Sequence, residues 1–202
     1  MAIRRHLSSD ETRKLLDVID NPRDLMITVL ALDTGCRINE ILAARVDEID
    51  FEAGFLRLPA GRTKGRAERD VPISSGVLQM LRDWTEGRVG GDWLFEGNLG
   101  QHYTVRAYEI ALDKYGVKAG IQRSWPGAQR KGSCKPYTRK FLTPHTLRRT
   151  HAARAAEAGI PINYIQAALG HKNVATTSRY FEVDGDEVKE KYLEMRFSPV
   201  GV

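Results

Sequence analysis

His145 and Arg148 stand three residues apart in the run Thr143-Pro144-His145-Thr146-Leu147-Arg148-Arg149-Thr150. His171 closes a Leu169-Gly170-His171 triplet, and Tyr180 follows nine residues later behind Thr176-Thr177-Ser178-Arg179. Two imidazoles, a guanidinium and a phenol within about three helical segments suit a single anionic centre, because such groups seldom cluster for packing alone. The anion they fit is a phosphate. Breaking a phosphodiester takes a nucleophile, neutralisation of the equatorial oxygens as charge builds, and a proton for the leaving oxygen. A phenol is a workable covalent nucleophile where neighbouring cations lower the cost of its oxyanion. A spacing of three on a helix puts His145 and Arg148 on one face, and the helix N-terminus beside His145 adds its own positive field.

Two further cations join this set. Arg37 follows Thr34-Gly35-Cys36 at the start of a short helix, where Glu40, one turn on, is placed to orient its guanidinium by a charge-assisted hydrogen bond. Lys64 lies in the turn Gly61-Arg62-Thr63-Lys64-Gly65, from which a flexible ammonium can reach in as a proton donor. Each residue alone has an ordinary alternative: a capping histidine, a solvated arginine or lysine, a helix-end ion pair, a core tyrosine with its hydroxyl satisfied. Their concurrence in one chain argues for a site.

The elements that must position these residues are legible in outline. Ser8 with Glu11 forms a capping box ahead of Leu15, Leu16 and Val18, and Asn21-Pro22 starts a second helix through Leu25 to Leu32. A short helix runs through Glu40, Ile41 and Leu42. Residues Phe51 to Leu58 and Glu68 to Ile73 alternate as the strands of a hairpin around the Lys64 turn. Ser74 or Ser75 caps a helix carrying Val77, Leu78, Leu81 and Trp84, and another helical pattern spans roughly Val105 to Tyr115. Thr143 and Pro144 start a helix to about Ala158, after which Gly159, Pro161 and Gly170 punctuate short helices up to Tyr180. The fold class is therefore α+β, mainly α-helical with a small antiparallel β-sheet or hairpin.

With 202 residues, 42% of them hydrophobic, the chain can bury a real core, and the absence of repeats and linkers predicts one domain over 1–202. The net charge of +5 is a mild bias toward polyanions. Its distribution says more. Residues 121–140 hold Arg123, Arg130, Lys131, Lys135, Arg139 and Lys140 with no acid, alongside Trp125 and Tyr137. That stretch reads either as a track along a DNA backbone or as a solvated loop. The tail is acidic through Glu182, Asp184, Asp186, Glu187, Glu190 and Glu194, and its helical spacing at Val188, Tyr192 and Met195 suits packing on its own subunit or a neighbour's. Cys36 and Cys134 match no disulfide framework or zinc spacing and read as reduced thiols of a cytosolic protein. The apolar run Leu25 to Leu32 is too short for a bilayer and too deep in the chain for a signal peptide, so no membrane association is expected.

In this order, Thr-Gly-Cys-Arg, a hairpin lysine ahead of Val71-Pro72, His-x-x-Arg, Leu-Gly-His and Tyr, residues about 7 to 183 resemble the catalytic domain of the tyrosine recombinases, also called phage integrases. The resemblance implies that Tyr180 attacks the scissile phosphate to give a 3′-phosphotyrosyl link while Arg37, Arg148 and His171 hold the phosphoryl oxygens. It implies further that Lys64 protonates the departing 5′-oxygen, that His145 assists proton transfer at the tyrosine, and that a 5′-hydroxyl from a partner strand reverses the step without metal, ATP or other cofactor. The implied partner is double-stranded DNA, bound by a homo-oligomer, a tetramer, with possible exchange of the tail 184–202 between protomers. The implied setting is the cytoplasm of a prokaryotic or viral host, at the nucleoid. DNA contacts are expected from Arg62 and Arg66 beside Lys64, and from the six cations of a basic insertion at about 121–142.

The chain departs from the pattern at Arg149, where the family often has histidine, and at Cys36, where leucine is common. The family's N-terminal DNA-clamping (core-binding) domain is expected to be absent, which predicts weak, strongly salt-dependent DNA binding. A type IB topoisomerase-like enzyme that religates the same strand, and a non-catalytic DNA-binding module, are the alternative functions.

Overall fold

The computed structural model describes residues 6–60, 68–127 and 138–170. Helix α1 (Ser9–Val18) opens on the expected capping box: the Ser8 hydroxyl accepts the Glu11 N–H at 3.1 Å, and the Glu11 carboxylate accepts the Ser8 N–H at 2.9 Å. In α2 (Pro22–Thr34), Asn21 accepts the N–H groups of Arg23 and Asp24, and every residue from Met26 to Thr34 is buried. A helix covered on all sides belongs at the centre of the molecule. Around it pack α3 (Ile38–Leu42), α4 (Ser75–Thr85), α5 (Val105–Lys118) and α6 (Pro144–Glu157). Within α2 the Thr28 hydroxyl bonds both the Asp24 carbonyl at 2.7 Å and the Tyr108 hydroxyl at 2.8 Å.

After a 3-10 turn (Val46–Glu48), strands β1 (Ile49–Asp50), β2 (Phe55–Leu58) and β3 (Arg69–Pro72) form an antiparallel sheet in that order, with Phe55 opposite Pro72 and Leu58 opposite Arg69. The hairpin expected around Lys64 is therefore present, but its first strand is shorter than the sequence suggested. Asp50 accepts the N–H groups of Glu52 and Ala53, and Gly54 adopts φ +76°, so residues 51–54 turn instead of extending. The N-cap of α4 is Ser74, whose N–H goes to the Asp33 carboxylate at 2.9 Å.

The sequence reading left the basic stretch open between a DNA track and a solvated loop, and gave it no strands. Its two flanks form a second hairpin, β4 (Ser124–Pro126) against β5 (Thr138–Lys140). Arg123 pairs with Glu11 at 2.6 Å and lies over the Phe141 ring, and Lys140 pairs with Asp113, so these flanks are tied to α1 and α5. Cross-segment charge pairs of this kind leave no periodicity in the sequence. Helix α6 has the expected cap, with the Thr143 hydroxyl accepting the Thr146 N–H and Pro144 in the first turn. Helix α7 (Ile162–Leu169) ends at Gly170 in the left-handed conformation. The expected continuation to Tyr180 and the tail 184–202 lie outside the described residues. Among the described residues no helix is long and apolar enough to cross a membrane.

Three helices meet at Gly35, the C-cap of α2, which has φ +61°. A Cβ there would stand 2.5 Å from the His151 ring of α6 and 2.7 Å from Leu169 of α7. Gly35→Ala is expected to cost at least about 2 kcal/mol, from the left-handed backbone and the overlap together, read as a lowered urea midpoint.

Two buried titratable groups flank the same junction. Burial raises the Asp33 carboxyl from 3.8 to about 6 and lowers the His151 imidazole from 6.5 to about 4. Below pH 6.5 the unfolded chain takes a proton that folded His151 refuses, so this residue's contribution is present above 6.5 and lost as pH falls toward 4. Asp33 runs the other way: its contribution is present below 3.8 and lost as pH rises through 6. Each amounts to roughly 3 kcal/mol, and they oppose each other over the same window. Urea unfolding of Asp33→Asn across pH 4 to 6.5 should therefore show stability climbing by about 3 kcal/mol, where the parent protein's profile is much flatter.

Candidate active site

Arg148, on the second turn of α6, is only 6% exposed. Its Nη1 donates to the Gly35 carbonyl at 2.7 Å and its Nη2 to the Leu169 carbonyl at 2.6 Å. These oxygens belong to the C-terminal ends of α2 and α7, where carbonyls lack helical partners and the helix dipole is negative. The site is thus built around one guanidinium bridging two helix ends. Burial, and next the charge of Arg37, bring the Arg148 pKa down to about 10, which leaves it cationic at neutral pH. A guanidinium has five N–H donors; two fix its plane here, and three remain beyond those bonds for an anion.

Arg37 follows the left-handed Gly35 and buried Cys36 and caps α3 with an extended backbone. Its side chain is 33% exposed. Two cations that feel each other at a partly covered site favour an anion between them. Glu40, as expected, lies beside Arg37, but its short bonds go elsewhere. One of its oxygens accepts the Arg37 backbone N–H at 2.8 Å and the Arg69 Nη2 at 2.8 Å, while the Arg37 guanidinium stands 3.5 Å from the other.

Arg69 is the residue that sequence reasoning missed. It opens β3, its Nε faces the Ala168 carbonyl at 3.4 Å, and a Cβ on Gly170 would stand 3.0 Å from its guanidinium carbon. The available signal was strand alternation, which puts Arg69 on the same face as buried Val71, an unusual place for an isolated charge. His151 was also missed. Burial pushes the Cys36 thiol up to about 11, so it stays un-ionised at neutral pH.

His145 is exposed on the first turn of α6, three residues before Arg148. The described structure therefore brings Arg37, Glu40 and Arg148 together, with His145 on the same helix. Arg123, Arg139 and Lys140 lie on or beside the β4–β5 hairpin instead. Lys64, His171 and Tyr180 lie outside the described residues, as do Arg62, Arg66, Arg130, Lys131 and Lys135. Among the described residues no three His, Cys, Asp or Glu side chains gather as a metal ion would need. What the arrangement can do is hold an oxyanion against two guanidiniums.

The sequence matches the phage integrase family over residues 5–187. It is 31% identical over 192 residues to the tyrosine recombinase XerA of Pyrococcus furiosus, an alignment covering 92% of this chain and 60% of that protein. The crystal structure of XerA recombinase shares the fold with a TM-score of 0.68 at 25% identity, covering 98% of this chain and 67% of that one. The XerH site-specific recombinase bound to difH substrate, in a pre-cleavage complex, gives a TM-score of 0.65 at 21% identity, covering 94% of this chain and 54% of that one. The chain spans about 60% of the length of the curated relatives it matches. With all but the ends of its sequence accounted for in this way, the chain belongs to the phage integrase family.

Proposed function

We propose that this chain is the catalytic domain of a site-specific recombinase that cleaves and rejoins double-stranded DNA through a 3′-phosphotyrosyl intermediate, in the integration, excision or resolution of mobile or phage DNA. The observation that carries the reading is Arg148, pinned by the carbonyls of Gly35 and Leu169 with Arg37 as its neighbouring charge. A guanidinium held this way has its orientation set before substrate arrives, which is what stabilising charge on equatorial phosphoryl oxygens requires. Arg37, Arg148 and His171 neutralise the phosphoryl oxygens while the Tyr180 oxygen attacks phosphorus. The bond from phosphorus to the 5′-oxygen breaks, Lys64 supplies that oxygen with a proton, and His145 assists removal of the tyrosine proton. Attack by a partner strand's 5′-hydroxyl restores tyrosine and a phosphodiester, so the number of phosphoester bonds is unchanged and no nucleotide hydrolysis is called for.

In this reading Arg139, together with Arg62, Arg66, Arg130, Lys131 and Lys135, neutralises DNA phosphates around the site. Arg123 and Lys140 reach DNA by exchanging exposed ion pairs, which are worth little individually. XerH is of this fold and was solved on its difH substrate, which supports duplex DNA as the partner here. A tetramer on DNA with exchange of the tail 184–202, in the cytoplasm at the nucleoid, completes the proposal.

The test is trapping of a covalent adduct on nicked suicide duplexes taken from the DNA flanking the gene. The intact chain should form an adduct that Tyr180→Phe does not; adducts of equal yield would displace Tyr180 as nucleophile. Relaxation of supercoils without any paired site would instead place the chain with topoisomerase-like religation. Arg148→Lys should lower the adduct-forming rate by about 100-fold or more, because a point ammonium cannot hold two carbonyls and a phosphate in one plane.

A further inference from the structure

Three guanidiniums, those of Arg37, Arg69 and Arg148, surround one carboxylate, Glu40, whose side chain is 3% exposed. The way that carboxylate distributes its bonds is informative. A buried carboxylate and a single guanidinium ordinarily close into a two-pronged pair. Arg37 and Glu40 do not: the guanidinium stops at 3.5 Å from Oε1. The short side-chain bond, 2.8 Å to Oε2, is donated by Arg69. The two arginines also differ in exposure, with Arg69 at 15% and Arg37 at 33%, so the more covered cation serves the carboxylate and the more open one faces outward. Arg69 is held in that position from behind by the α7 terminus, where Ala168 offers its carbonyl and Gly170 leaves the room that a side chain would fill.

We infer that Arg69 is a charge-balancing positioning residue: by occupying Glu40, it keeps the Arg37 guanidinium available to the substrate phosphate. This rests on the phosphate-binding reading of the Arg37 and Arg148 site given above. Without Arg69, Arg37 is the guanidinium nearest Glu40 among the described residues, and their 3.5 Å contact closes. The site then loses a cation twice over, once as Arg69 itself and once as Arg37 is drawn from its long 3.5 Å contact into a tighter internal pair. The orienting role of Glu40 is exercised through the Arg37 backbone N–H, a bond that a glutamine oxygen can also accept.

The experiment is a calorimetric titration of the intact chain with inorganic phosphate across the parent, Arg37→Ala, Arg69→Gln, Glu40→Gln and the double variant Arg69→Gln/Glu40→Gln, with the Arg37 guanidinium NMR signal as a second readout wherever Arg37 is retained. Phosphate binding by the parent that Arg37→Ala weakens establishes the site; binding indifferent to Arg37 removes the phosphate reading and this inference with it. Given that dependence, Arg69→Gln should bind phosphate about tenfold more weakly, the size of one lost charge-assisted contact. Glu40→Gln should bind at least as tightly as the parent, and the double variant should recover to within about twofold of Glu40→Gln. Recovery of affinity in the double variant at a urea midpoint no higher than that of Arg69→Gln is the result that a merely structural Arg69 cannot give, since binding then returns without any return of stability. An unchanged affinity in Arg69→Gln, a double variant no better than Arg69→Gln, or a Glu40→Gln that binds worse than the parent would each overturn the inference while leaving the phosphate site in place. Should Arg69→Gln fail to fold because Glu40 loses its Arg69 bond, Glu40→Gln and the double variant, which bury no carboxylate there, decide the matter.

Discussion

Everything that can act on a phosphate in the described structure hangs on the bridge that Arg148 makes between the C-terminal carbonyls of α2 and α7. Among the described residues neither carbonyl has a helical partner, and each lies at the negative end of its helix, so a single cation serves two acceptors at once. Left-handed glycines make the geometry possible. Gly35 and Gly170 turn the chain away directly after α2 and α7, and Gly35 has no room for a side chain between His151 and Leu169. The Thr-Gly-Cys-Arg and Leu-Gly-His motifs therefore contain a structural glycine beside each residue proposed to touch substrate. The turn that ends α2 sends the chain on toward Arg37.

Charge in this region is balanced in layers. Asp33 and His151, both fully covered, have pKa values displaced by burial in the directions that disfavour their charged forms, and their opposite pH dependences offset one another near the α2 and α6 junction. Nearer the opening, Glu40 is matched to Arg69 and to the Arg37 backbone N–H, which leaves an excess of positive charge on Arg37 and Arg148. Three guanidiniums around one carboxylate leave a net positive charge in this region, which is the electrostatic basis of the proposed anion site.

The basic region around the β4–β5 hairpin belongs to a different layer. Its ends are fixed to α1 and α5 by Arg123 and Lys140 through exposed ion pairs, which hold the hairpin against the body at little cost to rearrangement. Cations attached in this way suit neutralisation of a polyanion along its length, in contrast to the rigid bridge at Arg148.

The sequence by itself determined the helices, the first hairpin and the motif residues. Capping signals at Ser8, Asn21 and Thr143, the apolar run of α2 and the Gly-punctuated helix ends depend on neighbours within a few positions, and those interactions are written in local spacing. The types and spacing of Arg37, His145 and Arg148 were likewise readable, and the proposal of a phosphate site rests on them. The tertiary structure alone decided which partners these residues have. That Glu40 gives its shorter side-chain bond to Arg69 and its longer one to the Arg37 guanidinium, that Arg148 holds two main-chain carbonyls, and that β4 and β5 exist at all each involve atoms brought together by folding from distant parts of the chain, Gly35 and Arg148 being separated by 113 positions. Backbone carbonyls are chemically the same at every residue, so no side-chain pattern marks the two that a buried arginine will find.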